Sequence, residues 1–225
     1  MTAGEKLRIA VPGNAEVSAL LVRPPTARWL LVLGHGAGAG MAHPFLEKLA
    51  KELAEAGVAT FRYQFPYIEE RGRVPDKPEV LMATVAAAVE RAVETTPELP
   101  LLAGGKSMGG RMTSQAAAQG LLGPVKGLVF FGFPLHPPNR PGTKRAEHLA
   151  KVNMPMLFLQ GTRDTLADLA LLRPVCEQLG PHATLHIIQE GDHSFHVLKK
   201  AGKTDAEIMK ELAETTACWA NRLNT

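Results

Sequence analysis

The segment Gly105-Lys106-Ser107-Met108-Gly109 places a serine between two glycines, and two kinds of chemistry use such a pattern. Gly105-Lys106-Ser107 is similar to the end of a phosphate-binding P-loop, whereas G-x-S-x-G is a turn that presents a nucleophilic serine for acyl transfer. A P-loop requires a further glycine five residues before Gly105, and this chain has Pro100 there, followed by an apolar run. We therefore interpret Ser107 as a nucleophile.

The surroundings of Ser107 favour this interpretation. Leu101–Ala103 are typical of a strand and the residues from Met108 onward of a helix, so Ser107 falls on a strand-to-helix turn. With four serines and 21 glycines in 225 residues, only about 0.03 accidental G-x-S-x-G matches are expected. That rate disfavours the alternative in which the serine merely caps the helix.

A serine hydroxyl needs a base to remove its proton, and two loops further along the chain offer the partners. Asp164 follows one apolar, strand-like run, and His193 follows the next one. Both are therefore expected at the same edge of a sheet as Ser107, in the chain order Ser, Asp, His. Asp192 remains an alternative for the acid, although its position directly before His193 is more typical of a turn residue.

Other acidic and histidine side chains near these positions have structural interpretations. Asp168 lies one helical turn beyond Asp164 and is expected to belong to the following helix. His196 lies about one turn past His193 and is expected at the surface or beside the site. His186 falls inside a strand, which indicates a structural role.

A glycine-rich loop, residues 34–38, follows an earlier apolar strand. In enzymes with a nucleophilic serine on such a turn, two backbone amides bind the oxyanion that develops during the reaction. One belongs to the residue after the nucleophile, here Met108, and the other belongs to a loop after an early strand. We expect Ala37 to supply the second amide, with Gly38 as the alternative donor, and we expect Gly36 and Gly38 to border the substrate. The loop also loosely matches a dinucleotide fingerprint, but the next strand ends without the Asp or Glu that would bind a ribose.

Short apolar runs alternate with helical patterns along the chain: two or three strands come first, and repeated strand–helix units follow. This order predicts one α/β domain over residues 1–225, with a mostly parallel twisted sheet and helices on both faces. Thr204 and Glu207 form a capping-box pattern that opens a final helix ending near Leu223. A preceding helix is expected to be interrupted at Pro174.

Bulk composition disfavours several function classes. The formal charge is only +3 at pH 7 and the basic residues are scattered, which gives no indication of nucleic-acid binding. No run approaches the roughly 18 apolar residues of a membrane helix, and the N-terminal segment lacks the apolar stretch of a secretory signal. Cys176 and Cys218 form no C-x-x-C motif and no H-E-x-x-H motif occurs, so we expect a reducing, cytoplasmic setting and no metal or other cofactor.

Taken together, the motifs resemble the α/β-hydrolase superfamily, and within it the small dienelactone-hydrolase-like branch. The resemblance rests on the segments GHGAGAGMAHPF, FRYQFPY, GGKSMGGRM, FFGFPLHPP, LQGTRDT and GDHSF, which extend from about residue 30 to residue 198. It implies the α/β-hydrolase fold and a triad of Ser107, Asp164 and His193. Dienelactone hydrolases carry a cysteine nucleophile, whereas this chain has serine, so the resemblance favours a serine esterase over dienelactone turnover.

The connection between two late strands limits the shape of the predicted site. Residues 134–153 leave no room for the helical cap that larger hydrolases insert there, which predicts an open, shallow pocket. Phe65, Tyr67, Phe133 and Leu135 follow strand ends and are expected to line this pocket, with packing at its rim as the alternative.

Four basic residues are candidates for attracting an acidic substrate, with a solvated surface role as the alternative for each: Lys106, Arg71, Arg73 and Arg111. The predicted reaction is hydrolysis of a small ester through an acyl-enzyme on Ser107. A peptidase or acyltransferase with the same nucleophile, and a non-catalytic interaction module on the same scaffold, remain alternatives. The sequence carries no indication of the oligomeric state.

Overall fold

The computed structural model describes residues 4–223, and eight strands within that range form one sheet. The strands are β1 (Glu5–Ile9), β2 (Val17–Val22), β3 (Trp29–Gly34), β4 (Val58–Tyr63), β5 (Leu101–Lys106), β6 (Val125–Phe131), β7 (Met156–Gly161) and β8 (Ala183–Ile188). The apolar runs of the sequence therefore become strands, as predicted.

Helices separate most of these strands along the chain. The α-helices are α1 (Pro44–Glu55), α2 (Pro66–Glu69), α3 (Pro78–Thr95), α4 (Met108–Ala118), α5 (Leu169–Leu179) and α6 (Asp205–Arg222), and the 3₁₀ helices are Lys144–Lys151, Gly180–His182 and Lys199–Ala201. Within residues 4–223, none of the helices combines the length and the apolar character needed to cross a bilayer.

The strands are arranged in the order β1-β2-β4-β3-β5-β6-β7-β8. β1 pairs with β2 and β2 with β4 in antiparallel fashion, and every remaining neighbour pair is parallel. The predicted mostly parallel sheet is thus confirmed. Because parallel strands point the same way, the loops after β3, β5, β7 and β8 meet at one edge of the sheet.

Burial along the strands explains why their sequences are almost continuously apolar. Every residue of β3, β4 and β7 is buried, since helices cover both faces of the sheet. β8 lies at the end of the sheet, and most of its side chains are only partly buried. The sequence pattern thus distinguishes the central strands from the edge strand.

Two apolar layers lie on opposite faces of the sheet. On one face, Leu49 of α1 and Leu212 of α6 are fully buried against the strands. On the other face, Val85 of α3, Met112 of α4 and Leu172 of α5 pack in the same way. The helices that precede and follow the site-bearing loops are therefore fixed by core packing, which also fixes where those loops begin.

The capping box at the start of α6 is confirmed, because Thr204 and Glu207 exchange hydrogen bonds between side chain and backbone. The interruption predicted for α5 is wrong: the helix continues through Pro174. Pro174 and Ala170, whose carbonyl loses its usual donor, both lie on the exposed side of α5. Water can bond that carbonyl, which reduces the cost of the proline.

The connection from β6 to β7 is compact and carries the 3₁₀ helix Lys144–Lys151, which packs against α4. Leu149 is fully buried there, and His148 Nε2 lies 2.7 Å from the Ser114 Oγ of α4. Burial, reinforced by the charge of Arg111, lowers the pKa of His148 to about 4, so this imidazole is neutral at physiological pH. No large cap domain is inserted over the sheet edge between these strands.

Candidate active site

Ser107 lies between the last residue of β5 and the first residue of α4. Its backbone has φ of 52° and ψ of −113°, a conformation that is strained for a residue with a side chain. The helix packs tightly against β3 here, and a Cβ atom on Gly109 would collide with the Gly34 backbone. The two glycines of the G-x-S-x-G segment therefore allow the close backbone approach that the turn requires.

A chain of two hydrogen bonds begins at the serine hydroxyl. Ser107 Oγ lies 2.9 Å from His193 Nε2, and His193 Nδ1 lies 2.7 Å from Asp164 Oδ2. The three residues come from the loops after β5, β7 and β8, at the edge where the sequence placed them. The geometry fits an imidazole that donates its Nδ1 proton to the carboxylate and accepts the serine proton at Nε2.

Asp164 is held by more than the histidine. Its side chain has no exposed surface, whereas that of His193 is 24% exposed. Gln160 Nε2 donates to Asp164 Oδ2 at 2.6 Å, and the Leu166 backbone amide donates to Asp164 Oδ1 at 2.8 Å. Three donors thus orient a buried carboxylate toward the imidazole.

Gln160 is a functional candidate that the sequence reasoning missed. It is fully buried in β7, and its Oε1 accepts the Phe133 amide at 3.0 Å while its Nε2 reaches Asp164. A polar side chain inside an otherwise apolar strand was the available signal, since a buried amide needs partners. Its contacts link the loop after β6 to the carboxylate.

Asp192, the alternative acid, serves the turn that carries His193. Its Oδ1 accepts the backbone amides of Ser194 and His196, at 2.8 and 3.0 Å. The His193 imidazole is bonded to Asp164 instead. The structure therefore separates the two carboxylates: one contacts the imidazole, and the other shapes the loop around it.

The glycine-rich loop after β3 lies beside the serine. A Cβ atom on Gly36 would sit 3.8 Å from the Ser107 Cβ, so this backbone borders the nucleophile. The Ala39 amide bonds the Gly36 carbonyl, which folds the loop into a turn with Ala37 and Gly38 exposed. Met108 lies on the opposite side of the serine, as the first residue of α4.

His35 fixes this loop from inside the molecule. It is fully buried, its Nδ1 lies 2.7 Å from the Gly36 carbonyl, and its Nε2 accepts the Phe65 amide at 3.1 Å. Burial lowers the pKa of His35 to about 4, so the ring stays neutral and its two nitrogens act as one donor and one acceptor. The imidazole therefore ties the loop after β3 to the segment after β4.

All four residues expected to line the pocket are buried in the core. Phe65, Phe133 and Leu135 have at most 1% of their surface exposed, so they offer a substrate no contact area. This corrects the expectation in favour of packing, because the chain turns these side chains inward directly after the strands end. Tyr67 is also buried, and its hydroxyl accepts the Gly38 amide at 2.9 Å. Its contact is with the loop backbone.

The four basic candidates differ in their surroundings. Arg71 and Arg73 are exposed, and Arg111 is half-buried on α4. Lys106 does not face solvent: its amine is buried beneath the rings of Phe45 and Phe195. Burial of the amine fits neither of the two alternatives considered for Lys106, attraction of an acidic substrate and a solvated surface role.

A cavity on another part of the surface is separate from the serine site. A cavity of about 540 Å³ lies between the β2–β3 turn and α1, lined among others by Pro24, Ala50 and Arg62, and it shares no lining residue with the serine site. In the described part of the chain, no three His, Cys, Asp or Glu side chains converge as a metal site would require. The hydrogen-bonded chain of Ser107, His193 and Asp164 is therefore our candidate for the reactive group.

The sequence and the fold are similar to those of known hydrolases. A family model described as an alpha/beta hydrolase domain matches residues 27–221. A dienelactone hydrolase from Anabaena variabilis gives a TM-score of 0.75 at 22% identity, with 94% of this chain and 95% of that chain covered. XC6422 from Xanthomonas campestris, described as an α/β serine hydrolase without lid, gives 0.75 at 20% identity over 97% and 96%. Est1E from Butyrivibrio proteoclasticus, with ferulic acid bound, gives 0.70 at 18% identity over 91% and 96%.

The solved structures share the fold with this chain, and their low identities carry no further conclusion about it. The family model covers most of the chain, including every residue of the serine site. The protein therefore belongs to the α/β-hydrolase family and has the α/β-hydrolase fold.

Proposed function

We propose that this protein is a serine hydrolase that cleaves small esters through an acyl-enzyme on Ser107. The observation that carries the proposal is the unbroken chain of hydrogen bonds from Ser107 Oγ through His193 to the buried Asp164 carboxylate. It begins at a serine held in strained backbone geometry at a strand-to-helix turn. Serine, base and acid in this arrangement are the parts that nucleophilic acyl transfer needs.

His193 is the general base in this mechanism. Its Nδ1 proton points to Asp164, so Nε2 carries the lone pair and takes the proton as Ser107 Oγ attacks the ester carbonyl. The Asp164 carboxylate then stabilises the imidazolium. His193 returns the proton to the leaving alcohol, and in the second half-reaction it activates a water that releases the acid from Ser107.

The tetrahedral intermediate carries an oxyanion that needs backbone donors, and we assign these to Met108 and Ala37. The Met108 amide belongs to the first turn of α4, where amides have no intrahelical acceptor and the helix end favours negative charge. Ala37 lies in the exposed turn of the glycine-rich loop beside Ser107, with Gly36 and Gly38 as its neighbours. Removing one such donor typically slows acyl transfer by about 10²–10³-fold.

The absence of a large cap favours small or extended esters over long buried chains, because the site edge lies open. The proposal for esters also draws on two structural neighbours, the dienelactone hydrolase and the ferulic-acid-bound Est1E. The serine nucleophile favours esterase chemistry over dienelactone turnover. Cys176 and Cys218 are free thiols, which is consistent with the cytoplasmic location that we propose.

The proposal is tested with p-nitrophenyl acetate and the Ser107→Ala variant. We expect that variant to lose at least about 10³-fold in kcat/KM. Ser194→Ala is the matched control, because Ser194 is exposed beside His193 and lies outside the hydrogen-bonded chain, and its rate should stay within about twofold of wild type. Hydrolysis by Ser107→Ala at the wild-type rate would overturn the proposal.

A panel of matched ester, thioester and amide substrates then defines the leaving group. We expect turnover to follow the order ester, thioester, amide, with the same Ser107 dependence for each. A preference for the amide would assign peptidase chemistry to this nucleophile, and transfer to an added alcohol in place of water would assign acyltransferase chemistry.

A further inference from the structure

Lys106 directly precedes the nucleophile, and its amine is buried in an unusual environment. Among residues 4–223 the Nζ atom has no hydrogen-bond partner and no exposed surface. It lies 5.8 Å from the ring centroid of Phe45 and 5.6 Å from that of Phe195, and these two rings stack on each other at 5.9 Å. Two aromatic faces thus hold the cation without a hydrogen bond.

The amine faces the hydrogen bond between Asp164 and His193. One point in space, the position that a Cβ on Gly132 would occupy, lies 3.1 Å from Lys106 Nζ, 3.4 Å from His193 Nδ1 and 3.5 Å from Asp164 Oδ2. Gly132 has a φ of 71°, and because it has no side chain, no Cβ atom stands between the three polar groups. The charge of Lys106 therefore acts on the imidazole and the carboxylate across a short, water-poor gap.

The charged groups around Lys106 have opposing effects. Burial lowers the pKa of Lys106 to about 8, and the carboxylates of Asp164 and Asp192 oppose that shift. The amine is therefore mostly protonated at pH 7 and below. On the side of α1 it meets the Phe45 ring, and on the side of the loop after β8 it meets the Phe195 ring, Asp192 and His193.

A buried ammonium without an acceptor is costly, and an apolar side chain of similar length would fill the same space between two phenyl rings. The charge itself is therefore the feature that needs an explanation. A cation near a carboxylate favours the ionised carboxylate, and a cation near an imidazole disfavours imidazolium.

We propose that Lys106 is a positioning residue that sets the pH range of the site: its buried ammonium lies beside the Asp164–His193 hydrogen bond and opposes a second positive charge on the imidazole that accepts the Ser107 proton. This inference rests on the proposed function, because it concerns the same base. It assigns Lys106 no contact with substrate.

The test is the pH dependence of kcat/KM for p-nitrophenyl acetate between pH 4 and pH 9 in Lys106→Met and Lys106→Gln. Both variants lose the charge, so the midpoint of the acid limb should move to higher pH by about one unit. At a pH below both limbs, the variants should be about tenfold slower than wild type. KM for this neutral ester should change less than twofold.

Two controls separate the charge from the packing. Lys106→Arg keeps a cation and should retain the wild-type limb, and Lys126→Met removes an exposed lysine of β6 and should do the same. Thermal unfolding identifies a variant that fails to fold. If Lys106→Arg does not fold, the acid limbs of Lys106→Met and Lys106→Gln are compared with that of Lys126→Met, and this comparison tests whether the charge of Lys106 sets the limb.

An acid limb that stays within about 0.2 pH units of wild type in both Lys106→Met and Lys106→Gln would overturn the inference, even if their rates fall at every pH. So would a folded Lys106→Arg that shifts as far as Lys106→Met. If wild type neither hydrolyses esters nor reacts with a fluorophosphonate at any pH, the proposed function fails and this inference fails with it. A fully active wild type with an unmoved limb in the variants overturns the inference about Lys106 alone.

Discussion

Two histidines on one loop of this molecule each pair with an aspartate from another segment, and the two pairs differ in what surrounds them. His193 Nδ1 bonds Asp164 at 2.7 Å, and three residues later His196 Nδ1 bonds Asp205 at 2.8 Å. The pairing geometry is nearly the same in both. The Asp164 side chain, however, has no exposed surface, whereas the His196 and Asp205 side chains are 60% and 57% exposed.

The hydrogen bond alone does not distinguish the pair proposed for catalysis from the other pair, because both have nearly the same length. The first pair has a serine hydroxyl at its free nitrogen and a buried carboxylate held by further donors. The second pair ties the loop to the start of α6, because Asp205 also accepts the Val197 amide. Water and salt weaken an exposed pair, so its contribution is local and structural.

Removing each imidazole in turn should give the largest difference in activity between the two pairs. His193→Ala should lower kcat/KM for p-nitrophenyl acetate by about 10⁴-fold or more, because the serine loses its base. His196→Ala should leave kcat/KM within about threefold of wild type. Steady-state kinetics on both variants checks this, and equal losses would contradict the assignment of roles.

The two carboxylates offer the next comparison. Asp164→Asn should lower kcat by about 10³–10⁴-fold, because an amide donor at this position favours the wrong imidazole tautomer while changing the shape little. Asp205→Asn should leave kcat nearly unchanged. Since Asp192 was the alternative acid, Asp192→Asn is the informative control, and a loss larger than that of Asp164→Asn would reverse the assignment.

Gln160 extends the buried pair and is expected to have a smaller effect. Gln160→Met removes the donor to Asp164 and the acceptor for the Phe133 amide, so kcat/KM should fall about tenfold and stability should fall by about 1–3 kcal/mol. Kinetics and thermal unfolding measure the two effects separately. Gln119→Met, an exposed change at the end of α4, is the control. A destabilised Gln160→Met with full activity would reduce Gln160 to a packing role.

The exposed pair of His196 and Asp205 should affect the stability of the fold in a way that depends on pH. The hydrogen bond and charge of Asp205 raise the pKa of His196 above 6.5, so that contribution is present at lower pH and is lost as pH rises through the folded value. The pKa of Asp205 is lowered below 3.8 by its hydrogen bond to His196, so its contribution is lost as pH falls through that lower value. The pair therefore stabilises between about pH 4 and pH 7.

The expected measurement is the Tm difference between wild type and His196→Ala across pH. It should be no more than about 2 °C near pH 5–6 and should vanish above pH 8. A difference that grows toward alkaline pH would contradict this sign.

The local parts of the site were predictable from the sequence. Ser107 is marked by the glycines of a tight turn, and Asp164 and His193 directly follow apolar runs, so a parallel sheet brings all three to one edge. The sequence favoured Asp164 over Asp192 as the acid but left Asp192 as an alternative, because the choice depends on which way each side chain leaves its loop. The mostly parallel sheet with helices on both faces followed from the same alternation of runs.

What depends on contacts between distant segments was not predictable. His35, Gln160 and Lys106 gain their contacts from residues on other segments of the chain. Phe65 and Phe133 turn into the core directly after their strands end. Pro174 was tolerated because its helix face meets water. Side-chain direction in loops is set by tertiary packing, which has no period in the sequence to reveal it.

The proposed function requires that the buried pair of His193 and Asp164 activates Ser107. Covalent labelling measures this activation most directly. The folded protein is treated with a fluorophosphonate at pH 7 and the modified peptide is identified by mass spectrometry. We predict one adduct, on Ser107, whose formation is at least about 10³-fold slower in His193→Ala and unchanged in His196→Ala. Labelling at another residue, or equal labelling of wild type and His193→Ala, would contradict the account.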